Sequence, residues 1–140
     1  MNKQQDALEN VTVLDLTRVL AGPLCTQMLG DMGANIIKIE HPSRGDDTRH
    51  WGPPFADTEA AYFLGVNRNK KSLALDFKTP DGLKILKNLI KKSDVVIDNF
   101  KPGLLGKLGL TDDWFKTNAN QVIRCSITGY GNKGPNGGMP

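Results

Sequence analysis

Three polar segments of the chain contain residue types that could bind an anionic ligand. The segment 17–23 (Thr-Arg-Val-Leu-Ala-Gly-Pro) leads into a predicted helix, and helix N-termini bind anions. The segment 67–72 (Asn-Arg-Asn-Lys-Lys-Ser) combines two amides with three cations, which suits phosphate and carboxylate groups. The segment 98–103 (Asp-Asn-Phe-Lys-Pro-Gly) holds an aromatic ring beside a lysine, a combination that could grip an adenine and its phosphates. Each segment could equally be an ordinary solvated or strand-ending turn.

Sequence motifs for other kinds of chemistry are absent. The chain has no GxGxxG, no GxxxxGK[ST] and no nucleophile elbow, so dinucleotide, P-loop and hydrolase signatures are missing. The two histidines, His41 and His50, are nine positions apart and match no rigid ligand pattern, so we predict no metal site. Cys25 and Cys125 form no CxxC motif, which indicates a reducing compartment, and both are predicted to be buried in the core.

Composition and charge place the chain among globular domains. Its 140 residues are 39% hydrophobic and 24% charged, which suits one domain with one core. The net charge of +3 is too small to predict a nucleic-acid partner, but eight Lys or Arg and only two Asp lie in 67–92. This zone suits a phosphate-bearing ligand, or is a basic loop and a solvated helix face. No apolar run is long enough to span a membrane, and the polar start 1–9 is unlike a secretory signal. We expect a cytoplasmic location, with a mitochondrial one as the alternative if the natural start lies upstream.

Hydrophobic patterns predict the elements that must position these residues. Strands are predicted at 11–16, 35–40, 72–77, 94–98 and 121–127. Helices are predicted from Gly22 to Gly33, at 59–66, after the cap Thr79 with Pro80 first, and after the cap Thr111. The predicted buried stripes of the two longer helices are Leu24, Cys25, Met28, Leu29 and Met32, and Leu83, Leu86, Leu89 and Ile90.

The alternation of strands and helices predicts an α/β fold, Rossmann-like, with a mostly parallel sheet and flanking helices. Ligands bind such sheets beyond the carboxyl ends of the strands, where we place all three polar segments. The long loop 41–58 is rich in Gly, Pro, Asp and Arg, and such a long loop in a compact domain is usually either functional or disordered.

Several motifs together resemble one family. The segments 13–23 (Val-Leu-Asp-Leu-Thr-Arg-Val-Leu-Ala-Gly-Pro), 29–40 (Leu-Gly-Asp-Met-Gly-Ala-Asn-Ile-Ile-Lys-Ile-Glu) and 45–49 (Gly-Asp-Asp-Thr-Arg) look like the opening of a class III coenzyme A transferase of the CaiB–BaiF type. The segments 67–72, 75–82, 98–103 and 126–131 continue the resemblance in order, from about residue 8 to the end. The stretches 45–55 and 66–72 look closest to the branch that acts on dicarboxylates such as succinate, glutarate and hydroxymethylglutarate.

The resemblance implies an enzyme that moves coenzyme A between carboxylic acids. An aspartate attacks the acyl thioester, an acyl–enzyme anhydride forms, and the returning thiolate gives an enzyme thioester from which the acceptor acid takes the coenzyme A. Full-length members have a large and a small domain and form interlinked homodimers. Coenzyme A and acyl-CoA are then substrates, with no covalently bound cofactor and no nucleic-acid or membrane partner.

The resemblance also implies site residues. Coenzyme A contacts carry over to Val19, Leu20, Ala21, His41, Leu75, Lys78, Asn99, Phe100, Lys101 and Lys107. Family members often have Arg where this chain has His41 and Lys107. No catalytic residue is expected within 1–140, because the family's aspartate falls beyond Pro140. We therefore interpret 1–140 as the N-terminal coenzyme A-binding part of the large domain, inactive alone; an acyl-CoA racemase of the same fold and a stand-alone binding module are the alternatives.

Overall fold

The computed structural model describes residues 6–131 and 133–139. Its strands are β1 (Thr12–Asp15), β2 (Asn35–Glu40), β3 (Phe55–Ala56), β4 (Glu59–Ala60), β5 (Lys70–Ala74), β6 (Val95–Asp98) and β7 (Ile123–Ser126). Its helices are α1 (Ala21–Asp31), α2 (Ala61–Asn67), α3 (Pro80–Ile90), α4 (Leu104–Lys107) and α5 (Asp112–Asn118), with a 3-10 helix at Asp47–His50.

Five parallel strands form the central sheet in the order β5-β2-β1-β6-β7, and β3 pairs with β4 in a separate antiparallel ribbon. The chain builds outward from β1 through β2 to β5, then crosses back to add β6 and β7 on the other side. The carboxyl ends of β1 and β6 therefore flank the switch point of the sheet, where open α/β sheets bind ligands. The predicted α/β class with a mostly parallel sheet is confirmed.

Most predicted elements are present, with shifted bounds. The strand predicted at 35–40 is found with those bounds, whereas the one predicted at 72–77 runs from Lys70 to Ala74. The helix predicted at 59–66 starts at Ala61, because 59–60 pairs with β3. Both threonine caps are confirmed: the Thr79 hydroxyl accepts from the Gly82 amide, and the Thr111 hydroxyl accepts from the Trp114 amide. The short helix α4 was not predicted.

The predicted buried face of α1 is wrong. Leu24, Met28 and Met32 are 41%, 54% and 50% exposed, whereas Thr26 and Gln27 are buried. The polar side chains turn inward because each has a partner there. The Thr26 hydroxyl donates to Asp15 Oδ2 at 2.6 Å, and Gln27 Oε1 accepts from the Arg68 amide at 3.2 Å.

Two apolar clusters flank the sheet. The larger contains Leu14, Ile39, Leu86 and Ile90, so the predicted inner face of α3 is confirmed. The smaller contains Val13, Ala34, Ile36 and Ile97, with the half-buried Cys25 packed against it.

The strand β7 forms the outer edge of the sheet. All four of its residues are exposed, so the prediction that Cys125 lies in the core is wrong. Within 6–131 and 133–139, no helix has the length and apolar character needed to cross a membrane.

Candidate ligand-binding site

A cleft opens beyond the carboxyl ends of β1, β2, β5 and β6; we call it the edge cleft. It is open to solvent, and the space between its walls is about 470 Å³ when the adjoining open solvent is included. Four stretches of chain and one aromatic ring line it: 16–18, 38–41, 44–46, 75–78 and Phe100. These are the segments that follow the strands, which is where ligands bind open parallel sheets.

Cationic side chains surround the mouth of the edge cleft. Arg18, Arg44 and Lys78 line it, and none of the three forms an ion pair with another described residue. The Arg18 guanidinium lies 5.8 Å from the centroid of the Phe100 ring, a cation–π distance. The mouth therefore offers positive charge beside an aromatic face, which suits a phosphorylated aromatic ligand.

A second hollow lies on the other side of Phe100; we call it the outer hollow. It is lined by 99–102 and 127–129, which follow β6 and β7. Phe100 lines both hollows. Lys101 adds a further exposed cation on this side.

The backbone between β1 and α1 is strained and firmly held. Val19 has φ +71°, a left-handed conformation that costs a β-branched residue roughly 1–3 kcal/mol. Lys38 Nζ donates to the Thr17 carbonyl at 2.8 Å. Asn99 holds both sides of Arg18, because its Oδ1 accepts from the Arg18 amide at 2.9 Å and its Nδ2 donates to the Arg18 carbonyl at 2.7 Å.

Gly22 allows this backbone to pack closely. A Cβ atom at Gly22 would lie 2.2 Å from Thr17 Cβ, well inside any tolerated contact. Glycine therefore lets the first turn of α1 lie directly against the end of β1.

A buried ion pair lies beneath this backbone. Lys38 Nζ is 2.9 Å from Asp46 Oδ2, and the two side chains are 1% and 0% exposed. Asp46 Oδ1 also accepts from the Thr48 amide and hydroxyl at 3.0 and 2.8 Å, and from the Val19 amide at 3.4 Å. Burial opposes ionisation of Asp46, but Lys38 and Thr48 outweigh it and hold the pKa of Asp46 below its usual range.

A second buried pair joins β1 to β5. Lys70 Nζ lies 3.1 Å from Asp15 Oδ2 and also donates to the Pro23 carbonyl and to Asn67 Oδ1. Burial lowers the pKa of Lys70 to about 8, although the Asp15 carboxylate acts in the opposite direction. Asp15 keeps its other oxygen for Thr17, whose amide and hydroxyl both donate to it.

Arg49 ties the long loop 41–58 to the sheet. Its guanidinium donates to both oxygens of Glu40, at 2.7 and 2.8 Å, and to Glu59 Oε1 at 2.8 Å. Its face covers the Phe63 ring at 3.7 Å. Burial of Glu40 works against its charge, but Arg49, Ser72 and the Asp46 amide lower the pKa of Glu40 below normal. The loop is therefore an ordered wall of the edge cleft.

The residues predicted as coenzyme A contacts fall into three groups. Those lining the edge cleft are His41, Leu75, Lys78 and Phe100. Asn99 and Lys101 line the outer hollow together with Phe100. Val19, Leu20 and Ala21 lie in the turn into α1, next to the clamped Arg18. Lys107, at the end of α4, is not among the residues that line either hollow.

The segment 67–72 does not lie at the carboxyl edge, and that expectation is wrong. It enters β5, which runs parallel to β2, so it lies toward the opposite edge of the sheet. Its polar side chains bind other parts of the protein: Arg68 and Asn69 contact Asp31, and Lys71 Nζ donates to Asn35 Oδ1. These groups build structure around α1.

Sequence reasoning did not single out Lys38 or Asp46, and it considered Lys70 only as one of three cations in 67–72. Alternation along 35–40 puts Lys38 and Glu40 on one side of β2, and such a pattern is usually a solvated face. A signal was present, because charged residues are uncommon inside a central parallel strand. The partner that makes Lys38 buried comes from the loop, which no periodicity describes.

Comparison with known proteins agrees with the fold. Residues 8–140 match the family described as CoA-transferase family III. The mouse (Mus musculus) succinyl-CoA:glutarate CoA-transferase is 56% identical over 128 residues, which are 91% of this chain and 29% of that protein. The succinate–glutarate CoA-transferase of Agrobacterium fabrum is 45% identical over 141 residues, covering 96% of this chain and 35% of that protein.

A more distant relative and a solved structure extend the comparison. The formyl-CoA:oxalate CoA-transferase of Bradyrhizobium is 42% identical over 125 residues, covering 89% of this chain and 29% of that protein. The crystal structure of a CaiB/BaiF family protein from Brucella suis has a TM-score of 0.90 and 46% identity, and the match covers 96% of this chain and 37% of that one. The chain thus spans about a third of the length of the proteins it matches, and by sequence and fold it belongs to CoA-transferase family III.

Proposed function

We propose that the edge cleft and the outer hollow bind coenzyme A and its thioesters, and that the protein transfers coenzyme A between dicarboxylic acids such as succinate and glutarate. The observation that carries this proposal is the position of the cleft. It lies at the switch point of a parallel sheet, ringed by cations, in a chain 56% identical to a succinyl-CoA:glutarate CoA-transferase.

The phosphates of coenzyme A suit the cations of the edge cleft. Lys78 and Arg44 are exposed at its mouth, and Arg18 lies beside Phe100. Two of the carboxylates that line the cleft are neutralised, because Glu40 is paired with Arg49 and Asp46 with Lys38. Arg18, Arg44 and Lys78 outnumber the one lining carboxylate that no described cation pairs, Asp76, so an entering phosphate would meet a net positive charge.

The adenine suits the aromatic wall. Phe100 lines both the edge cleft and the outer hollow, is half-buried and lies 5.8 Å from the Arg18 guanidinium, so we expect its ring to stack against the purine. Lys101 follows it on the outer side, within reach of a phosphate attached to the adenosine. Among the predicted contacts, Lys107 has the weakest support, because it lines neither hollow and, unlike the segment 19–21, does not adjoin a residue that does.

The nucleophile of the proposed reaction comes from outside this cleft. The carboxylates that line it, apart from Asp76, are buried and ion-paired, which prevents attack on a thioester carbon. We place the catalytic aspartate in a segment downstream of Pro140. Its carboxylate would attack the acyl carbon and displace coenzyme A thiolate, which gives an acyl–aspartyl anhydride. The thiolate would then attack the aspartyl carbonyl of that anhydride, which releases the donor acid and leaves an enzyme thioester.

The remaining parts of the proposal concern the whole protein. We propose that 1–140 is the N-terminal coenzyme A-binding part of a larger domain, inactive alone, and that the complete protein forms an interlinked homodimer. Acyl-CoA and a carboxylic acid are its substrates, and no covalently bound cofactor takes part. The cytoplasmic location stays a prediction.

Isotope exchange with protein from the complete reading frame tests the function. We expect labelled coenzyme A to pass from succinyl-CoA to glutarate, and oxalate to be a poor acceptor. Exchange confined to oxalate and formate would overturn the assignment to succinate and glutarate. Epimerisation of a branched acyl-CoA without any exchange would show the racemase alternative instead.

A further inference from the structure

Three side chains from distant parts of the chain hold three consecutive residues between β1 and α1. Lys38 binds the Thr17 carbonyl, Asn99 binds both backbone groups of Arg18, and Asp46 receives the Val19 amide at the longer distance of 3.4 Å. Such convergence on one short backbone segment over-determines its conformation. The residue that needs this support is Val19, whose positive φ is unfavourable for a β-branched side chain.

The Lys38–Asp46 pair borders the edge cleft but is almost closed off from solvent. The side chains are 1% and 0% exposed, so we expect the neighbouring backbone and the exposed side chains, rather than the two ions, to contact the ligand. Each ion instead joins two elements: Lys38 reaches from β2 to Thr17, and Asp46 reaches from the long loop to Val19 and Thr48. The pair therefore couples the backbone before α1 to the loop that forms the opposite wall.

We propose that the buried Lys38–Asp46 pair is a positioning device for the coenzyme A site. It holds 17–19 in the strained conformation that aims the backbone of Val19, Leu20 and Ala21 at the ligand, and it fixes the spacing between that backbone and the loop carrying His41 and Arg44. This inference rests on the proposed coenzyme A site, and it assigns the two ions an indirect role in binding.

The double variant Lys38→Met with Asp46→Asn tests the pair without leaving a buried charge unpaired. It removes one positive and one negative charge, so the net charge facing an anionic ligand is unchanged. Replacing a buried pair by neutral residues of similar size is often tolerated by a fold. We expect cooperative thermal unfolding to persist, while titration calorimetry with coenzyme A shows affinity reduced about tenfold. The matched control is Asp47→Asn, which changes the neighbouring acid and should leave affinity within about twofold.

Val19→Gly supplies the readout that separates positioning from general stability. Glycine adopts positive φ without strain, so it reduces the need for the clamp. In the double variant, titrated well below its melting temperature so that global stability does not enter, Val19→Gly should restore several-fold of the lost affinity. If the double variant does not fold, Asp46→Glu replaces it, because the longer side chain keeps both charges but displaces the carboxylate; we expect the same loss and the same rescue.

The outcomes separate this inference from the function on which it rests. A wild-type chain that does not bind coenzyme A would overturn the proposed site, and the positioning role with it. A wild-type chain that binds, with a folded double variant of equal affinity, would overturn the positioning role alone. If the double variant loses affinity and Val19→Gly does not restore any of it, the pair acts only as part of the fold.

Discussion

At the scale of residues, two ion pairs that are buried from solvent support the carboxyl edge of the sheet. Lys38 with Asp46 and Lys70 with Asp15 are both nearly inaccessible to solvent, and each ion makes further hydrogen bonds to backbone or hydroxyl groups. Burying a charge is costly unless such partners are supplied. The exposed charges at the mouth can therefore serve a ligand, while the buried ones hold the walls.

The depressed pKa of Lys70 predicts a particular pH dependence of stability. Between about pH 8 and the ordinary lysine value near 10.4, the unfolded chain binds a proton at this site that the folded chain has lost. The contribution of Lys70 to the free energy of unfolding must therefore rise with pH across that window. Urea denaturation of the wild type and of Lys70→Met from pH 7.5 to 10 measures this.

The comparison between the two chains isolates Lys70, because other titrating groups are common to both. We expect the wild type to gain stability relative to Lys70→Met as pH increases. A difference that stays constant or shrinks over this range would mean that the folded-state pKa of Lys70 is not lowered.

At the scale of elements, the two longer helices of the chain pack by different rules. The helix α3 follows its apolar period: Leu86 and Ile90 are fully buried, and Ile85, one position before Leu86, is 46% exposed. The helix α1 instead buries Thr26 and Gln27 against Asp15 and Arg68, and leaves Met28 largely exposed. The hydrogen bonds that buried polar groups require therefore decide which side of α1 faces inward.

A pair of neighbouring substitutions tests the packing of α3. Leu86→Ala removes a fully buried side chain from the larger core cluster and should cost about 2–5 kcal/mol of unfolding free energy. Ile85→Ala on the outer side should cost less than about 1 kcal/mol. Equal losses in chemical denaturation would contradict the assigned face of this helix.

These two helices also mark how far sequence patterns reach. The stripe of α3 was predicted correctly because all of its inner positions are apolar. The stripe of α1 was not, since Leu24, Met28 and Met32 have helical spacing but Thr26 has a buried acceptor in Asp15. The spacing of apolar residues along a helix carries no information about a hydrogen-bond partner in another element. For the same reason, the pairing of Lys38 with Asp46 was not predicted.

At the scale of the whole molecule, the order of the strands brings the candidate site together. The switch from β1 to β6 juxtaposes the segments around Arg18 and Asn99, which are 81 positions apart in the sequence and joined by two hydrogen bonds. The parallel sheet, and the edge that carries the candidate site, were predictable from alternating elements. The placement of 67–72 was not predictable, because its basic residues suit a ligand site and only the direction of β5 puts them toward the opposite edge of the sheet.

The most direct test of the central claim is a titration of the isotope-labelled chain with coenzyme A, followed residue by residue by NMR of the backbone amides. We expect the largest shifts at 18–21, 76–78 and 99–101, which border the edge cleft and the outer hollow. Amides at 67–69, near the opposite edge of the sheet, should remain within the noise and serve as the internal control. Shifts concentrated at 67–69, or no shifts at saturating coenzyme A, would contradict the account.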